Sequence, residues 1–196
     1  MVFYAVMNNG IHKVMVDPGI VWREISGPTP QYHLWYLRTL INLYAIPEAE
    51  TPSGVRIERV LPPDIGRVLA WIGEHFGDGW KSESCAALYA QPPACYIAQM
   101  DGQCVGFACY DATARGYFGP IGIDESMRGT GIGRALLLAC LKGMREAGYG
   151  YAVVGWCDHA ADFYAKSANA VPIPGSDAEK TVYGRMLTFS GKKEDS

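Results

Sequence analysis

Arg128-Gly-Thr-Gly-Ile-Gly-Arg134 constrains this chain more than any other stretch. Three glycines, Gly129, Gly131 and Gly133, stand immediately before a long segment striped with apolar residues, Ala135 to Met144. Glycine is among the poorest helix formers, and it loses more backbone freedom on folding than any other residue. The cost implies that bare backbone is needed there. The first N–H groups of a helix have no internal partner, the helix dipole adds partial positive charge at that end, and a backbone without side chains lets an anion approach closely. With Arg128 and Arg134 at its rim, the run reads as a cradle for a phosphorylated ligand. A tight strand-to-helix turn with close packing uses glycine in the same way, and from the turn alone both readings stand.

Several ligand classes drop out. A P-loop needs G-x-x-x-x-G-K-[ST], and no Lys-Ser/Thr follows here. A dinucleotide fingerprint needs G-x-G-x-x-G at the start of a parallel sheet, whereas Arg134 occupies the third glycine's place and the preceding strands read as hairpins. Seventeen basic residues against 20 acidic ones leave a net charge of −3, which argues against nucleic acid as a partner. No 18-residue apolar run marks a membrane span, and the start, MVFYAVMNNGIHK, lacks the pattern of a secretory signal. The expected location is cytoplasmic. The six cysteines include no C-x-x-C pair, so no zinc or redox motif is signalled and no metal is expected. Cys109 and Cys140 read as small core hydrophobes.

The chain divides by style. Residues 1–50 read as an N-terminal extension. A hairpin turns at Asn8-Asn9-Gly10, and a helix over 31–46 is apolar on nearly every side, which calls for cover from the main domain or from a second subunit in a homodimer. Pro47 to Gly54 read as a linker. The main domain, 54–190, begins with a strand over 55–60. A helix opened by Pro62-Pro63 carries Ile65, Val68, Leu69, Ile72 and Phe76 on one face. Gly77 to Trp80 break it before a second helix over 81–91. Two strands follow around Asp101-Gly102, then a strand over 116–123 kinked at Gly119-Pro120, and then the helix after the glycines. A strand over 151–157, a helix over 159–168 and strands over 170–173 and 181–189 complete the order, with a disordered tail at 191–196. The fold class is α/β (α+β): a mixed, mostly antiparallel sheet flanked by helices, with a hairpin-plus-helix extension.

The segment Ile121 to Leu137, IGIDESMRGTGIGRALL, resembles the acetyl-CoA motif of the GNAT superfamily of N-acetyltransferases. That motif is a bulged strand, then Arg/Gln-x-x-Gly-x-Gly/Ala, then a helix. Arg128, Gly131 and Gly133 match its fixed positions, and the order of elements from about 55 to 189 is similar to the family's. The resemblance implies that Ile121, Gly122 and Ile123 bond the pantetheine arm of acetyl-CoA through free backbone groups. It implies that the amides of Gly129, Thr130, Gly131, Ile132, Gly133 and Arg134 hold the pyrophosphate. The family's Asn-x-x-Ala-x-x-x-Tyr segment reads Cys157 to Tyr164 here. Ala160 and Tyr164 match it, while Cys157 replaces the asparagine that contacts pantetheine. Tyr164 matches the acid that protonates the departing thiolate, a role open to a phenol placed beside the sulfur.

The implied reaction moves an acetyl group from acetyl-CoA directly to a primary amine, on a small molecule or a peptide, within a ternary complex. The alternative is a non-catalytic acyl-CoA-binding or regulatory module of the same fold. Direct transfer requires neither a nucleophilic cysteine nor a metal. A base must relieve the amine of a proton. Glu74, His75, Asp78, Glu83, Asp111 and Asp124 are candidates, and position alone associates Gly77, Gly79 and Trp80 with acceptor binding.

Overall fold

In the computed structural model, the described residues are 2–7, 10–15, 38–48, 50–155, 160–176 and 182–186. The chain forms two compact units, Met1–Leu34 and Trp35–Ser196. In the first, β1 (Val2–Met7) pairs antiparallel with β2 (Gly10–Met15), as the hairpin signal anticipates.

The second unit is built on one seven-stranded mixed sheet. Its elements in chain order are β3 (Arg38–Asn42), β4 (Val55–Arg59), α1 (Ile65–Leu88), β5 (Cys95–Met100), β6 (Gln103–Tyr110), β7 (Tyr117–Ile123), α2 (Ile132–Glu146), β8 (Tyr151–Val154), α3 (Ala161–Ala168) and β9 (Val171–Ile173). The spatial order is β4-β5-β6-β7-β8-β3-β9. Among the described residues only the β7–β8 pair, joined through α2, is parallel. The strand alternation places the two main helices on opposite faces. A Cβ added at Gly122 would meet Phe76 of α1, whereas one at Gly106 would approach Leu136 of α2. Between the layers Phe107, Ile72, Leu136, Leu137 and Leu141 are fully buried.

Two sequence expectations are overturned. Over 38–42 the anticipated helix of 31–46 is instead a strand, β3, followed by a 3-10 turn at Leu43–Ala45; residues 31–37 lie outside the described residues. β3 sits inside the sheet, antiparallel to both β8 and β9. The cause is burial on two sides: Arg38, Thr39 and Ile41 are all buried, so β3 lacks the in–out alternation of a half-buried strand, and Leu40, Ile41 and Leu43 fit a buried helix equally well. The strand anticipated over 181–189 is a 3-10 turn at Val182–Arg185, the place between β8 and β9 being filled by β3; residues 187–189 lie outside the described residues. The anticipated break at Gly77 is present. The two helices run on as α1, joined where Gly77 leaves helical geometry at φ 84, ψ 172, a region that suits glycine.

Ile41 of β3 is fully buried. Ile41→Ala is expected to cost about 2–5 kcal/mol in urea denaturation, the range of a core truncation. A loss below 1 kcal/mol would place β3 outside the cooperative core.

Candidate functional site

The site begins with a register change. Tyr110 pairs with Phe118, but Ala108 pairs with Ile121, so β7 carries one extra residue against β6, at Gly119-Pro120. Pro120 has no N–H to donate. On the other side, β7 pairs with β8 only at Tyr117↔Val153 and Phe118↔Val154. Beyond that point β7 runs on through Ile123 with no further partner on the β8 side among the described residues. The result is a strand edge with free backbone groups in the middle of a sheet.

A cleft of about 1220 Å³ opens at this divergence. Phe118, Gly119, Pro120, Ile121 and Ile123 line it from β7, Gly155 from the end of β8, and Ala160, Phe163, Tyr164 and Ser167 from α3 and its start. At one end stand Met127, Arg128, Gly129, Gly131, Gly133 and Arg134. Gly131 is the N-cap of α2 at φ 89, ψ −9, left-handed backbone that glycine adopts without strain. Arg128 lies 3.7 Å from Glu125, and the Arg134 guanidinium donates to the Glu48 carbonyl at 3.4 Å. The Thr130 hydroxyl donates to the Met127 carbonyl at 2.6 Å and closes the turn. Ile132 is buried in the core. Gly122 faces the other layer: the ideal position of an added Cβ is 2.5 Å from Phe76. Phe76 in turn stacks on Trp80, with centroids 5.0 Å apart. Cys157 lies outside the described residues.

Tyr164 is 6% exposed and stands where β7 and β8 part. Its ring meets Phe118 edge-on at 6.0 Å and Phe163 at 5.2 Å. The candidate bases separate by position. Asp111 accepts from the Gly116 amide and from the Tyr149 hydroxyl, each at 2.7 Å, and so braces the turn before β7. His75 is tied to the Trp71 carbonyl at 2.9 Å and lies 3.4 Å from Asp124. Hydrogen bonds from the hydroxyl and amide of Ser126 hold Asp124 below the ordinary carboxylate value, with His75 adding to the effect. Glu74 and Asp78 are exposed and do not line the cleft. Glu83 alone of the six lines it.

None of the described cysteines lines the cleft. Contact with Cys109 and burial push the Cys95 thiol up, burial does the same to Cys140, and Cys104 rises to about 11. These thiols stay protonated and are poor nucleophiles. Among the described residues no group of three or more His, Cys, Asp or Glu side chains is placed to hold a metal, and no helix is long and apolar enough to cross a membrane.

Residues 65–169, more than half of the chain, match the Acetyltransferase (GNAT) family. The chain belongs to the GNAT family. The match runs from the first residue of α1 to the end of α3, and so takes in the bulged strand, the glycine turn and Tyr164. Two curated relatives are both named mycothiol acetyltransferase. That of Thermobispora bispora is 34% identical over 140 residues, covering 62% of this chain and 47% of its own length. That of Thermomonospora curvata is 33% identical over 120 residues, covering 53% and 39%. This chain thus spans less than half the length of these relatives. Among solved structures, a GCN5-related N-acetyltransferase from Sphaerobacter thermophilus shares the fold with a TM-score of 0.56 at 21% identity, over 70% of this chain and 48% of that one.

Sequence reasoning did not find Thr113, Phe118, Phe163 or Ser167 as cleft residues. Each sits at a turn or on an ordinary amphipathic face, where no local pattern marks it.

Gly122→Ala forces the Phe76 ring away from β7 and unseats Trp80, since aromatic rings cannot yield tenths of an ångström without shifting their stack. It is expected to cost about 1–3 kcal/mol and to change the tryptophan fluorescence of the folded protein. An unchanged emission spectrum would show that the wall does not rest on Gly122.

Proposed function

We propose that this GNAT-family protein binds acetyl-CoA and transfers its acetyl group directly to a primary amine of a small-molecule acceptor. The open edge of β7, running from Tyr164 to the amides at the head of α2, carries this reading. A diphosphate suits those amides, reinforced by the helix dipole and by Arg128 and Arg134. The pantetheine arm suits the unpaired edge at Ile121 and Ile123, bonding it as an added strand would. The backbone of Gly122 continues that edge.

Such an arm delivers the thioester to the point where β7 and β8 part. There the amine nitrogen attacks the carbonyl carbon, a C–N bond forms and the C–S bond breaks. A free backbone N–H of β7 close to that point is the donor for the oxyanion that develops. Tyr164 gives its phenolic proton to the leaving thiolate, which prevents the thiolate from re-attacking. The names of the two curated relatives put mycothiol-related molecules among the acceptors to be tried.

Isothermal titration with acetyl-CoA and release of free thiol in the presence of amines test this directly. Gly133→Asp separates binding from folding. A Cβ there finds only ordinary contacts, 3.5 Å or more, and a carboxylate in the first turn of a helix favours the dipole. The variant is expected to match or exceed the parent's thermal midpoint while acetyl-CoA affinity falls by about 10²-fold or more, because the new charge sits where the diphosphate belongs. Tyr164→Phe keeps the ring contacts. It is expected to lower kcat by about 10²-fold with the KM for acetyl-CoA unchanged. Full activity in that variant would remove Tyr164 from the reaction.

A further inference from the structure

The charged residues lining the cleft are sorted by sign. Arg128 and Arg134 stand past the C-terminal end of β7 with the glycine turn. Glu83 is the one carboxylate among the described lining residues, and its partner Thr113 lies in the β6–β7 connection, ahead of the N-terminal end of β7. The seven residues of that strand hold the two ends about 20 Å apart.

Glu83 belongs to the part of α1 that follows the break at Gly77. The hydroxyl of Thr113 donates to its Oε1 across the mouth of the cleft. Among the described residues no cation pairs with Glu83, so Oε2 remains for a ligand. A half-buried carboxylate in that state lacks a counter-charge, which an ammonium group supplies. Trp80, three residues earlier and therefore on the same face of the helix, also lines the cleft and is 37% exposed. Its ring offers a cation a second favourable surface.

We infer that Glu83, held in place by Thr113, receives the cationic amine of the acceptor, and that this end of the cleft refuses amines bearing an adjacent carboxylate. The inference rests on the acyl-transfer reading above. Glu83 takes one proton from the ammonium, and the neutral nitrogen then attacks the thioester. After C–N bond formation, the surplus proton on nitrogen passes to the tyrosinate left when Tyr164 protonates the thiolate. The proton on Glu83 leaves to solvent. Thr113 acts through Glu83 and is a positioning residue.

Two matched amine pairs test the selectivity: tyramine against tyrosine, and histamine against histidine, each followed by thiol release from acetyl-CoA with the full chain. The decarboxylated member of each pair is expected to react at least tenfold faster. Glu83→Gln is expected to lower kcat/KM for tyramine by about 10²-fold while acetyl-CoA affinity by calorimetry is unchanged. Thr113→Val is expected to lower it about tenfold, with the KM for acetyl-CoA and the thermal midpoint unchanged, and Thr113→Ser to restore it. Preference for the amino acids, an unaffected Glu83→Gln variant, or bound acetyl-CoA with no turnover of either amine would overturn the inference. A loss in Thr113→Val that extends equally to acetyl-CoA would make Thr113 merely structural. Failure of the parent chain to bind acetyl-CoA would instead overturn the reading beneath it.

Discussion

The structure depends on a ladder that stops. β7 and β8 share two residue pairs, after which β8 ends and β7 continues with β6 as its one neighbour among the described residues. A sheet normally satisfies every interior N–H and C=O, and leaving several unpaired is costly unless a ligand or water takes their place. The extra residue at Gly119-Pro120 shifts β7 against β6 at the same point, so the strand changes course where its other neighbour is lost. Everything else at the site is arranged around that edge: the amides of α2 beyond one end, Glu83 and Thr113 at the other, and Tyr164 where the strands part.

The two faces of β7 do different work. Ile121 and Ile123 face the cleft, while Gly122 between them lets Phe76 lie against the strand. Phe76 carries Trp80 on its far side, and Trp80 reaches the cleft. One missing side chain therefore connects the strand that suits a cofactor to the aromatic wall beside the carboxylate. Asp111 has a similar structural part. By joining the Gly116 amide to the Tyr149 hydroxyl it braces the turn that holds Thr113.

The architecture of the cleft was legible in the sequence where it depends on local backbone chemistry. Glycines before a helix, a proline within a strand and Asp101-Gly102 between two apolar runs each state a conformational need that only a few residue types meet, and the structure shows all three. The break at Gly77 is of the same kind. The misread segments lacked such markers. Arg38 to Asn42 mix polar and apolar residues with no alternation to mark a strand, and their pairing with β8 lies more than a hundred residues away. The strand expected over 181–189 had good propensity, but the place beside β8 is already filled. Glu83 was one candidate among six because a carboxylate on a helix looks the same in sequence whether it faces water or a cleft. Only the fold, by bringing a turn threonine to its oxygen, distinguishes it.

The position of β3 also has a consequence for how the protein is made. Ribosomes emit the chain from its first residue at roughly 5–20 residues per second. Residues 38–42 therefore emerge on the order of ten seconds before either strand that flanks them in the finished sheet. Throughout that interval Leu40, Ile41 and Leu43 belong to a nascent apolar segment without its native neighbours. Closing the sheet is then a late, long-range event, and it is during synthesis, more than after it, that this segment is exposed to chaperones and to other growing chains.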